Sequence, residues 1–431
     1  MRYLWKRGEF KAALDVGERL EKQWKQTAGP DDRQTLYLRF HIANVLRSQG
    51  RFSAAYALDT EVLRAQTAVL GRDHPNTLQT AGSLGGDLRA LGRFRDALEL
   101  DERTYGQLAD VLGADHPRAL SGANNLAVDL RLVGDCLRAR DIDLDTLSQR
   151  ERVLGPDHPD TLHSASMLAR DLRELGDYAW SIELLRETHR RYRALLGEDF
   201  VDVLRTAKNL AVSLRKMGRF GEAYELTKDA SDRFGRNYGV NHPEALACRL
   251  NLACDLSACG EKAAAYALAR KVQMAYQEAM GETHPFTLAA ASNIATYLRG
   301  RGSVQEALTL ADRTLSALSD VLGDDHPFTL ACAVNKANCL HDEGHLSAAE
   351  GLLRETLERL KRTLGDQHPE TLICEGNLAV IVHAQGRAED ATVLQRRAIA
   401  AMEPVLGPEH PGIGALGGWR LYNRDLEVQP T

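Results

Sequence analysis

The chain has 431 residues, with 54 basic and 60 acidic side chains and a formal net charge of −6. That balance, without a basic stripe, argues against a dedicated nucleic-acid binder. No run approaches the roughly 18 continuous apolar residues of a membrane span, and the opening MRYLWKRGEF has no apolar core of a signal peptide.

Glycines 42 residues apart punctuate the whole chain: Gly8, Gly50, Gly92 and so on to Gly386, with a second set from Gly29 to Gly407. His-Pro pairs ending at Pro75, Pro117, Pro159, Pro243, Pro285, Pro327, Pro369 and Pro411 keep the same register. A unit this short cannot bury a core alone and must stack on its neighbours. The first unit is partial. Gly8 falls where a first helix should stop, so residues 1–31 read as a truncated repeat and the register implies further sequence before Met1.

Residues 32–409 read as nine full repeats. With the proline counted as zero, position +3 is Leu (Leu36, Leu78, Leu120 and onward to Leu372) and position +10 is Ala or Gly (Ala43, Gly85, Ala127 and onward to Ala379). With +6, +9 and +13 these form an apolar stripe at helical spacing. Proline suits the first helical turn, where its missing N–H is no loss, and the glycine at +17 suits a left-handed stop. A second helix follows, with an aromatic at +19 (Phe52, Phe94, Tyr178, Phe220) and usually Ala at +22. The expected fold is an all-α, right-handed α-solenoid of helix-turn-helix units, with first helices lining the concave face. The unit at residue 201 has Phe200-Val201 in place of His-Pro, yet keeps Leu204, Leu210, Ala211 and Leu214. After Pro411 the pattern fails, and 410–431 is expected to form a terminal cap and tail.

The first helix with Asn-Leu-Ala, the glycine turn and the following aromatic and alanine resemble the tetratricopeptide repeat. The run LGADHPRAL at Leu112–Leu120, followed by NNLA at Asn124–Ala127, resembles its kinesin-light-chain type. The resemblance covers essentially the whole chain. It implies a bacterial protein whose array is the C-terminal sensor of an NB-ARC-type signalling ATPase. The array and its tail ending Gln429-Pro430-Thr431 also resemble the tetratricopeptide protein of FxSxx-COOH systems.

Catalytic signatures are missing: no P-loop, GxSxG or HExxH occurs, so the expectation is a non-enzyme without cofactors. The seven cysteines are odd in number and form no CxxC, which reads as reduced thiols in a cytoplasmic protein. The repeated histidines lie two helix layers apart, too far to share a metal, and read as turn residues.

Position +8 lies opposite the core stripe and holds Asn125, Asn209, Asn251, Asn293, Asn335 and Asn377. A carboxamide offers donor and acceptor together, matching a peptide bond. The resemblance implies that these Asn line a groove and hold a peptide backbone; bridging of adjacent first helices is the other reading. Position +12 carries Asp87, Asp129, Asp171 and Asp255, and +14 carries Arg47, Arg89, Arg131, Arg173, Arg215 and Arg299. These form either an inter-repeat ladder of surface pairs, each adding little, or a set that reads ligand charges. Around Asn251, Asn293 and Asn335 the flanking slots are small (Ala247, Cys254, Ala289, Ala331), leaving a trough for an extended segment between Asn209 and Asn377. The expected function is a scaffold binding a peptide or protein in that groove, with no nucleic acid or membrane partner. The alternative is a structural self-association module.

Overall fold

The computed structural model describes residues 1–6 and 8–428 and is all-α, with 21 helices and no strand among the described residues. From Arg33 onward, first helices of 16 residues alternate with second helices of 19 residues. The short helix Arg2–Lys6 precedes a longer one, Phe10–Thr27.

The His-Pro pair starts the first helices. His74, His116, His284, His326, His368 and His410 lie in extended backbone, and each Nδ1 accepts the N–H two residues on, at 3.0–3.2 Å. The ring therefore satisfies one of the orphan donors of the first turn, while the proline has none to satisfy. The helix Val201–Lys216 keeps the register without a side-chain cap. Its Leu204, Leu210, Ala211 and Leu214 are buried, so core packing holds where the cap is lost. Six of the seven cysteines are buried and Cys259 is exposed.

The chain divides into two compact units, one comprising residues 1–171 with Phe234–Ala245, the other Leu172–Arg233 with Leu246–Val428. In the first unit, Leu4 and Trp5 pack on a cluster of Ala13, Leu14, Ile42 and Val45. Phe10 stacks on His242 with ring centroids 5.8 Å apart.

In the second unit the core of the last repeats gathers Leu353, Leu357, Leu378, Ile381 and Val382. This unit also closes on itself. His368 Nε2 lies 2.9 Å from the carbonyl of Glu174, and His410 Nε2 lies 3.1 Å from that of Lys216, both across 194 residues. Because each Nδ1 is already an acceptor, the proton sits on Nε2, which donates to the carbonyl. Burial disfavours the charged ring and pulls His368 down to about 4.

The expected cap, 410–431, turns out to have two parts. A short helix, Pro411–Gly417, is followed by Trp419, which adopts φ 55° and stacks on His383 at 4.0 Å. Trp419 and Leu421 pack on the core of the last repeats as a cap would. From Tyr422 onward the chain leaves that end and runs without helical structure to Val428. Gln429-Pro430-Thr431, part of the resemblance noted above, lie outside the described residues.

Candidate functional site

Three first helices of the second unit, Pro285–Gly300, Pro327–Asp342 and Pro369–Ala384, carry Asn293, Asn335 and Asn377 at the same slot. The constant offset from the capping histidine turns all three carboxamides the same way. Each meets one residue of the C-terminal segment and makes two hydrogen bonds with its backbone. Asn377 accepts from the Tyr422 N–H at 2.8 Å and donates to its carbonyl at 2.8 Å. Asn335 treats Arg424 alike, at 2.9 and 2.7 Å. Asn293 does the same with Leu426, at 2.8 and 2.9 Å. Each repeat thus holds every second residue, the period of extended chain. The segment runs against the order of the repeats.

The side chains of the segment are matched as well. Asn423 Oδ1 accepts from Arg299 at 2.7 Å. Arg424 is 5% exposed and pairs with Glu370. Glu427 lies 3.1 Å from Arg215 and 3.2 Å from Lys216. Burial alone would raise its pKa, but Lys216 and Arg215 overcome that and hold it near 2. Leu426 and Val428 are buried. The space left beside Tyr178, Lys216, Arg424 and Glu427 is a cavity of about 40 Å³, so the segment fills its channel.

The other Asn rungs make no hydrogen bond to the described tail. Asn251 accepts from Arg215 at 3.2 Å and donates to the carbonyl of Ala247 at 3.0 Å. Asn209 is fully buried with both carboxamide atoms unpartnered. Asn125 is half-buried, 3.4 Å from Arg89 and 3.5 Å from the Gly82 carbonyl. The slot expected to be exposed is therefore closed over at five positions: Asn209, Asn251, Asn293, Asn335 and Asn377 are each at most 1% exposed.

The Asp and Arg slots need a correction of the same kind. Asp87, Asp129, Asp171 and Asp255 are 0% exposed, so their pairs are not surface pairs. Arg89 reaches Asp129 at 3.0 Å, Arg131 reaches Asp171 at 2.5 Å, and Arg215 reaches Asp255 at 2.6 Å, each 40 residues on. In the first unit each arginine also holds an aspartate of its own second helix: Arg89 with Asp101 at 2.6 Å, Arg131 with Asp143 at 2.9 Å. Asp59, Asp101 and Asp143 recur at the 42-residue period and could have been read from it. Asp129, Asp171 and Arg131 thus lie in the seam between repeats. Among the charged candidates, Arg215 and Arg299 touch the tail. Arg173 contacts Glu174 at 3.0 Å and the carbonyl of Asn209 at 3.5 Å. The alternation Asp425-Leu426-Glu427-Val428 is the strand-like signal that the tail carries in the sequence.

A tetratricopeptide-repeat profile matches residues 35–108, 115–194, 286–362 and 334–403, and a second matches 203–244. The chain belongs to the tetratricopeptide-repeat family. Similar solved structures include a Rap protein complexed with competence and sporulation factor (12% identity, 87% of this chain and 100% of that one, TM-score 0.54). Another is NprR in complex with its cognate peptide NprX (14% identity, 74% and 88%, TM-score 0.51). A putative kinesin light chain of Podosopora anserina with nearly identical TPR-like repeats is 24% identical over 48% of this chain and 97% of that one, with a TM-score of 0.38. These likenesses concern the fold of this tetratricopeptide-repeat protein. No curated protein matches the chain in sequence.

Proposed function

We propose that this tetratricopeptide-repeat protein is a non-catalytic scaffold that binds an extended segment of another protein along its Asn rungs. The observation that carries this reading is the set of paired hydrogen bonds from Asn293, Asn335 and Asn377 to the backbone of Leu426, Arg424 and Tyr422. Backbone recognition of that kind takes any extended chain and leaves specificity to the pockets between rungs. The tail then occupies the place of a ligand. On this reading the array is the interaction region of a larger signalling ATPase in the cytoplasm, and a P-loop upstream of Met1 is the sequence feature that tests that context.

The groove itself is tested with the full chain. Tyr422→Pro and Leu426→Pro remove two of the three N–H donors and should loosen the tail. Fluorescence anisotropy with a labelled peptide of the Arg420–Val428 sequence should then show binding. Adding Asn293→Ala, Asn335→Ala and Asn377→Ala should abolish it. A loosened, folded groove that ignores the peptide would refute the reading.

A further inference from the structure

Resting on that reading, we infer that the partner segment carries a cation, then an apolar residue two positions on and an acid three positions on, the order Arg424, Leu426, Glu427 of the resident tail. The groove supplies a fixed complement to each. Glu370, on the helix Pro369–Ala384, receives the Arg424 guanidinium. Arg215 and Lys216, at the end of the helix Val201–Lys216, face Glu427. Between them Leu426 is 2% exposed, its backbone held by Asn293.

The polarity is set by the scaffold. Lys216 also lies 3.4 Å from Glu370, so with the tail withdrawn these two remain paired, while Arg215 keeps Asp255 at 2.6 Å. A segment with the charges reversed would set its acid against Glu370 and its cation against Arg215. Both would be buried beside like charge, which costs far more than an exposed mismatch.

The occupant is a different protein, not a second copy of this one. An identical tail in trans offers the same contacts as the tail in cis, and the tethered tail has the advantage of its effective concentration. Below that effective concentration, only a segment that meets the same three pockets better displaces it; an identical segment does so only in excess over it.

The test uses the full chain carrying Tyr422→Pro and Leu426→Pro, with three labelled peptides: the tail sequence, the same with Arg424→Glu, and the same with Glu427→Lys. The tail peptide should bind at least tenfold tighter than either altered one. In the receptor, Glu370→Lys should reverse the preference between the tail peptide and its Arg424→Glu version, which a general loss of folding would not do. As a measurement free of any receptor substitution, excess tail peptide added to the wild-type chain should lower hydrogen-exchange protection of residues 422–426, and the Arg424→Glu peptide should not. Equal, Asn-dependent binding of all three peptides would overturn the charge assignment and leave the groove intact. No binding of any peptide would overturn both. Concentration-dependent dimerisation of the wild type by tail exchange would overturn the assignment to a separate partner.

Discussion

Asn335 and Arg424, 89 residues apart, exchange two hydrogen bonds: the carboxamide oxygen accepts the Arg424 N–H at 2.9 Å, and its nitrogen donates to the Arg424 carbonyl at 2.7 Å. Asn335 is 1% exposed and Arg424 5%. Replacing Asn335 by Ala leaves both backbone groups without a partner away from water, at about 1–3 kcal/mol each. The Asn335→Ala chain should lose at least tenfold in hydrogen-exchange protection over residues 422–426. Protection of the helices of the first unit should be unchanged. If the tail stays equally protected, Asn335 is not what holds it.

Tail docking should depend on pH through Asp425. Burial pushes its carboxyl up to about 6, with Arg215 opposing, Glu427 adding to the rise, and Lys216 and Arg424 opposing. The docked tail therefore holds this proton more tightly than a free one, so docking weakens as pH rises from about 4 to about 6 and is constant above. Glu427 works the other way, but its contribution is complete above its ordinary value near 4.5 and is lost only as pH falls towards 2. His368 and His410 are held low chiefly by burial, so below their ordinary value of 6.5 acid works the opposite way. The share that Asp425 supplies is read against Asp425→Asn, which keeps both histidines. From pH 7 to pH 5 tail protection, corrected for intrinsic exchange, should rise more, or fall less, in the wild type than in Asp425→Asn. Equal slopes in the two chains would assign the dependence to other groups.

The repeat register, the core stripe and the helix stops were all legible, because each recurs along the chain and periodicity averages out local exceptions such as Phe200-Val201. The Asn slot was legible for the same reason. What occupies it was not. The tail occurs once, and a short alternating run cannot say which surface it will meet. The burial of Asp129 and Asp171 was hidden for a different reason. Position +12 lies at the shoulder between groove and neighbouring repeat, and helical angle alone does not tell which side a shoulder faces. Their second-helix counterparts Asp101 and Asp143 carried the deciding periodic signal.

That seam has a pH signature of its own. Arg89 serves two buried carboxylates with one nitrogen, Asp101 at 2.6 Å and Asp129 at 3.0 Å. Burial pushes Asp129 up to about 8, against the pull of Arg89. One cation for two acids keeps a proton in the seam. A group whose folded pKa is raised gives stability that is full below its unfolded value near 3.8 and is lost progressively as pH rises to about 8. The lowered histidines, His41 and His368 at about 4, act below pH 6.5, where acid removes stability. Above 6.5 the histidines no longer contribute, and the buried thiols, which burial keeps protonated, act alike in the wild type and in Asp129→Asn. Asp129→Asn supplies a permanent amide donor to Asp101, so its melting temperature should fall less between pH 6.5 and 8.5 than that of the wild type. An equal fall would mean that the seam holds no proton.

The seam where the second unit closes on itself makes a purely steric prediction. Gly176 and Gly344 occupy the same slot with the same φ of 85°, so a side chain at either meets the same backbone strain, about 1–2 kcal/mol. They differ in what stands opposite. A Cβ on Gly344 would meet nothing within 4 Å, whereas one on Gly176 would lie 2.5 Å from Cδ of Pro369. Pro369 cannot swing away, since its ring is fixed and the adjoining His368 holds the Glu174 carbonyl at 2.9 Å. Gly176→Ala should therefore cost the strain plus an overpacking term of about 1–3 kcal/mol, and Gly344→Ala the strain alone. Urea unfolding of the two variants, followed by hydrogen exchange of the helices of the second unit, measures the difference. Equal midpoints would mean that the contact between Gly176 and Pro369 is not tight, and that the unit closes without it.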